Sequence, residues 1–162
     1  MQKHRTSNIE HRTSNVAGAP ETKPGRNSAG GRVFDLEERL LEFACVIIDI
    51  SEKLPNTRSG NHVAGQLLRS GTSPYSNHGE AESAESSDDF IHKLKVCLKE
   101  LRETRRWLRL IHRKDWLTSH PQLKWTLVEV EELIRIFVAS IRTAKQNQLR
   151  GKLGETPLDT RS

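Results

Sequence analysis

Six cations, Lys95, Lys99, Arg102, Arg106, Arg109 and Arg113, recur at alternating intervals of four and three residues. On a helix this spacing keeps all of them on one face. Ammonium and guanidinium groups in such a row can neutralise successive phosphates and release the counterions around them. Between Lys93 and Lys114 nine basic residues stand against two acidic ones, Glu100 and Glu103. An acidic stretch precedes them: Glu80, Glu82, Glu85, Asp88 and Asp89. The row therefore has two candidate uses. It can bind RNA or DNA with strong salt dependence and little sequence preference, or it can meet the acidic stretch of a neighbouring copy in a head-to-tail contact. The positive charges outnumber the negative, so pairing between copies alone leaves a surplus. Aromatic residues that could stack on bases are few, and Trp107, Trp116 and Trp125 read as packing or interface groups.

A second polar constellation lies upstream in QLLRSGTSPYSNHGE, where Arg69, Ser73, Asn77 and Glu80 are spaced four, four and three apart. If the segment is helical they share a face that is too polar for an ordinary core. The reading favoured over a ligand site is a buried structural network. In it Arg69 is held by Glu80 or Glu103, while Ser73 and Asn77 bond to backbone freed by Pro74. Catalytic constellations are missing from the sequence. Asp89 with His92 is the one acid-x-x-His pair, whereas a di-iron bundle needs two. No HExxH, CxxC, P-loop or GxGxxG pattern occurs. The expectation is a protein that is not an enzyme, with no metal ligands and no cofactor.

The elements that must carry these residues are helices. The first is expected from the cap Asp35, with Glu38 three residues on, to Pro55, and it repeats Leu40, Phe43, Ile47 and Ile50 at helical spacing. The second begins near Ser59 or Gly60. Local rules would stop it at Ser73, because Pro74 removes a backbone donor. The polar face runs through the proline in register, which predicts a bent helix continuing to about Ala84. The third starts at a cap on Ser87 or Asp88 and carries Leu94, Cys97, Leu101, Thr104 and Leu108. The fourth starts at Pro121 and carries Leu123, Val130, Ile134, Phe137 and Ile141. Four amphipathic helices with mostly short connections predict an all-α fold, an up-down-up-down four-helix bundle over residues 34–147.

Residues 1–33 are expected to be a disordered basic tail, with six basic residues against two acidic among Ser, Asn, Gly and Pro, and 148–162 a disordered C-terminal tail. The N-terminal part repeats HRTSN at His4–Asn8 and His11–Asn15. The net charge of +5 resides in these tails, since residues 34–144 hold 16 basic and 17 acidic side chains. No apolar run is long enough to span a membrane. No secretory signal is visible, and Cys45 and Cys97 read as buried free thiols, so a cytoplasmic location is expected.

The text from Gln66 to Leu108, QLLRSGTSPYSNHGEAESAESSDDFIHKLKVCLKELRETRRWL, resembles a bacterial family related to the protein encoded in intervening sequences of 23S ribosomal RNA genes. Weaker similarity extends from Phe34 to about Lys145. The family's Arg, Ser, Asn and Glu pattern falls on Arg69, Ser73, Asn77 and Glu80, and its third-helix glutamate on Glu103. The chain departs from the family's usual apolar residue and Gly-rich segment at His78 and EAESAESSDD. The resemblance implies a four-helix bundle that assembles as a homopentameric ring, with no established enzymatic activity. One branch of the family comprises accessory proteins of diversity-generating retroelements, which are basic, bind nucleic acid and partner a reverse transcriptase. The partners to expect are thus further copies of the chain, RNA or DNA, and a reverse transcriptase.

Overall fold

A computed structural model describes residues 35–117 and 119–154. The expectations for residues 1–33 and for 155–162 lie outside the described residues. Four helices follow one another: α1 Leu36–Glu52, α2 Arg58–Glu82, α3 Ser87–Arg113 and α4 Pro121–Lys152. No strand occurs among the described residues.

Local chemistry sets each start. Asp35 accepts a hydrogen bond from the Glu38 N–H at 3.0 Å, Thr57 from Gly60 at 3.1 Å and Ser86 from Asp89 at 3.1 Å. The α3 cap is therefore Ser86, one residue before the expected pair, and Ser87 is already helical. Asp88 and Asp89 fall in the first turn, where the helix dipole favours them. Pro121 opens α4, where a missing N–H costs nothing. Gly60 is required where it stands, since a Cβ there would lie 1.9 Å from the Pro55 carbonyl oxygen.

Several boundaries differ from the sequence reading: α1 stops at Glu52, before Pro55, and α2 begins at Arg58. α2 runs through Pro74 as anticipated but ends at Glu82. α4 continues past 147 to Lys152, so residues 148–152 are helix rather than tail. The added turn is anchored from across the bundle, with the Gln148 amide donating to Asp88 at 2.7 Å.

Cross-helix pairs run in reverse order along three of the four pairs of neighbours, and the short connection from Lys53 to Thr57 turns α2 back along α1, which gives the up-down-up-down topology. Between α2 and α3, Arg69 meets Glu103 and Glu80 meets Lys93. Between α3 and α4, Arg105 meets Glu131 and Asp88 meets Gln148. The ring closes between α1 and α4, where Arg39 meets Glu129 and Asp49 meets Gln122. The bidentate bond to Glu129 raises the pKa of the Arg39 guanidinium. α1 and α3 make no close backbone approach and stand diagonally opposite.

The shared core holds Phe43, Ile47, Leu67, Leu101, Leu108 and Phe137, all fully buried. Truncating a core leucine such as Leu101 to Ala removes about 2–5 kcal/mol in comparable settings. Cys97 belongs to this core, but Cys45 is exposed. Its position falls between the core residues Ala44 and Ile47 and points off the apolar face.

Candidate nucleic-acid interface

All six cations of the α3 row are exposed. Lys95 to Arg113 spans about 27 Å at the rise of an α-helix. Lys99 lies 4.0 Å from Glu100, and the other five make no ion pair among the described residues. The neighbouring cations outside the row are used differently. Arg105 reaches Glu131 on α4, and Lys93 bonds Glu80 on α2, which pushes the Lys93 pKa up. The helix thus separates cations that join it to its neighbours from cations left facing outward.

Two shallow grooves follow the row. One, of about 820 Å³, is lined by Lys95, Lys99, Arg102 and Arg106 together with Leu98, Glu103, Trp107 and Leu110. The next, of about 610 Å³, continues with Arg109, His112 and Arg113 and shares Arg106 and Leu110 with the first. Leu110 is exposed and Trp107 is half-buried against the core. Trp107 donates its Nε1–H to Glu103 at 3.4 Å and meets His62 edge-on with ring centroids 6.2 Å apart. Its hydrogen-bonding edge is therefore engaged by the protein, in keeping with a packing role. Trp116 is half-buried against the core, and Trp125 is exposed.

The polar face of α2 does not form a single network. Arg69 Nη2 bonds Glu103 Oε1 at 2.6 Å, and its Nη1 lies 3.7 Å from Glu100 Oε2. Glu80 is taken by Lys93 instead, a full helical stretch away from Arg69. Ser73 and Asn77 pair locally, the Asn77 amide donating to the Ser73 carbonyl at 3.0 Å and to its hydroxyl at 2.9 Å. The carbonyl deprived of its donor by Pro74 is that of Ser70, four residues back, so Asn77 does not serve it. The Arg69 side chain is 58 % exposed, so its pair with Glu103 lies at the rim of the α2/α3 seam rather than within it. Rim position follows from arginine's reach: the guanidinium extends outward while its stem covers the seam.

Glu100 escaped the sequence reading. It is buried beside Arg69, and its Oε2 has no hydrogen-bond partner. Below it Thr104 donates to the Glu100 carbonyl at 2.8 Å, with its hydroxyl 3.1 Å from that of Ser70. The available signal was its place three residues after Cys97 and four before Thr104, on the α2 side of the core seam.

The fold and this site define a small antiparallel helical bundle with one outward cationic face. The chain belongs to the 23S rRNA-intervening sequence protein family, whose sequence model matches residues 34–139. It is similar to a solved crystal structure, described as a protein of unknown function from the S23 ribosomal protein family of Bacteroides thetaiotaomicron VPI-5482. The identity is 36 % and the TM-score 0.60, with 65 % of this chain and 96 % of that chain covered. No curated protein matches this chain significantly. No described helix is long and apolar enough to cross a membrane.

Proposed function

We propose that this protein is a non-catalytic nucleic-acid-binding bundle that works as a homo-oligomer, a pentamer by the resemblance described above. Its contact surface for RNA or DNA is the α3 row of Lys95, Lys99, Arg102, Arg106, Arg109 and Arg113. The observation that carries the reading is that five of these six exposed cations have no anionic partner among the described residues. A helix face bearing unpaired like charges is unfavourable in itself, and phosphate relieves that repulsion. The contacts expected are to phosphate and sugar, so binding is insensitive to sequence.

Fluorescence anisotropy with labelled RNA and DNA oligonucleotides across a salt series tests the proposal. Wild-type binding at low salt that weakens steeply as salt rises, and that Arg102→Glu with Arg106→Glu weakens about tenfold or more, supports it. Absence of binding at low salt, or binding indifferent to the double substitution, removes it. The basic face would then be a protein-docking surface, a reverse transcriptase being the partner suggested by the resemblance.

A further inference from the structure

Charge in this bundle is divided across its diagonal. α1, Leu36–Glu52, carries five acidic residues and a single basic one, and that one, Arg39, is bonded to Glu129. α3, Ser87–Arg113, carries eight basic residues against four acidic. These two helices form one of the two diagonal pairs that make no close approach, the other being α2 with α4. The folded body therefore has an acidic side and a basic side facing in opposite directions.

The two sides also match in form. Glu38, Glu42, Asp49 and Glu52 are exposed and spaced four, seven and three apart, which places them in one row along α1. The α3 row uses the same four-three spacing over a similar length of about 20–27 Å. Each row has exposed apolar side chains next to it. On α1 these are Leu41, 36 % exposed, and Ile48, 44 % exposed. On α3 Leu110, 39 % exposed, lies in the groove with the cations. An acidic row edged by leucine and isoleucine is the chemical counterpart of a basic row edged by leucine.

We infer that the acidic face of α1 docks on the basic face of α3 of a second copy of this chain, and that nucleic acid competes with that copy for α3. Because the two faces differ and lie on opposite sides, each molecule can offer α3 to one neighbour and α1 to another. The contact is heterologous and propagates from copy to copy. Six cations face four carboxylates, so docking leaves part of the basic row uncovered where a strand of phosphates can begin to displace the neighbour. The inference deepens the proposed function by assigning the surfaces of its oligomer, and it shares α3 with the nucleic-acid reading while resting on a different readout.

The test uses two full-length variants, Glu42→Lys with Glu52→Lys on α1 and Arg102→Glu with Arg106→Glu on α3. All four positions are exposed, and circular dichroism verifies that each variant is folded. Sedimentation velocity is run without nucleic acid at about 50 mM salt, where exposed charges are weakly screened. Wild type is expected to associate, and each variant alone to sediment as a monomer of 18.4 kDa. An equimolar mixture of the two variants is expected to form a one-to-one pair, because the intact acidic α1 of the α3 variant still fits the intact basic α3 of the α1 variant. Wild type that sediments as a monomer, association unchanged by the α1 substitutions, or a mixture that stays monomeric overturns the inference.

Anisotropy with a labelled RNA oligonucleotide separates the two readings. The α1 variant is expected to bind RNA at least as tightly as wild type, its competitor being gone, and the α3 variant about tenfold or more weakly. RNA binding with no α1-dependent association leaves the nucleic-acid reading standing and ends this one. Complementation between the variants without RNA binding does the reverse for the α3–α1 contact, and it ends the competition.

Discussion

Gly71 of α2 lies directly against Ile47 of α1: a Cβ built on the glycine would stand 2.6 Å from the Ile47 Cγ2 and 2.8 Å from its Cγ1. Both residues are buried. The absence of a side chain at 71 is what lets α1 and α2 close over the core at this level. The neighbour is a β-branched side chain with restricted rotamers, so it cannot simply swing aside.

Gly71→Ala is therefore expected to destabilise the bundle by about 1–3 kcal/mol, as overpacking does, despite alanine's higher helix propensity. Gly65→Ala and Gly79→Ala are the controls, because nothing lies within 4 Å of a Cβ at either position. Each of those is expected to add about 0.5–1 kcal/mol. Urea denaturation of the three variants checks the sign reversal. Ile47→Ala in the Gly71→Ala background should recover part of the loss relative to the sum of the single changes.

The Arg69–Glu103 pair sits at the rim, which bounds what it contributes. With Arg69 58 % and Glu103 28 % exposed, a double-mutant cycle of Arg69→Ala and Glu103→Ala is expected to give a coupling of about 0.2–1 kcal/mol. Arg69→Ala should cost more than Glu103→Ala. It also takes away the cation 3.7 Å from buried Glu100, whose Oε2 has no hydrogen bond. Chemical denaturation of the four proteins of the cycle measures both quantities.

How far the chain could be read in advance follows from which forces act locally. The cap Asp35, Pro121 in the first turn of α4, the four-three seams and the helix through Pro74 were legible because they depend on residues close by in the chain. The exposure of the six α3 cations was legible for the same reason, as they lie off the seam of Leu94, Leu101 and Leu108. Partner choice was not. Arg69, Ser73, Asn77 and Glu80 share a face, but Arg69 and Glu80 sit at different heights on α2, and antiparallel α3 offers each a different partner, Glu103 and Lys93. Cys45 was misplaced because it stands inside an apolar run, FACVII, in which only the angular position distinguishes core from surface.

The α3 row sets a measurable salt dependence for the proposed nucleic-acid binding. If all six cations neutralise phosphates, the logarithm of the binding constant should fall against the logarithm of salt with a slope of about −4 for a single strand and about −5 for a duplex. Substituting one of them, Lys95→Ala, should reduce the slope by about one unit. Lys93→Ala should leave it nearly unchanged, because Lys93 is held by Glu80. Anisotropy titrations at several salt concentrations read the slopes directly.

The two cysteines allow a test of the core that needs no ligand. Cys97 is fully buried, with its thiol 3.6 Å from the Pro74 carbonyl, and burial pushes its pKa up to about 12 from an ordinary value of 9.0. In the unfolded chain the thiol ionises first, so above pH 9 the native state holds the proton longer than the unfolded state does. The resulting stabilisation is complete below pH 9 and is lost as pH rises towards 12. Between pH 8 and pH 10 the loss attributable to this thiol is about 1.4 kcal/mol. Cys97→Ala should lower stability at pH 8 but flatten this part of the alkaline decline, and the difference between the two slopes isolates Cys97 from other alkaline groups. In parallel, a thiol reagent applied to the folded protein at high salt should modify one cysteine per chain, the exposed Cys45, and reach Cys97 only in denaturant.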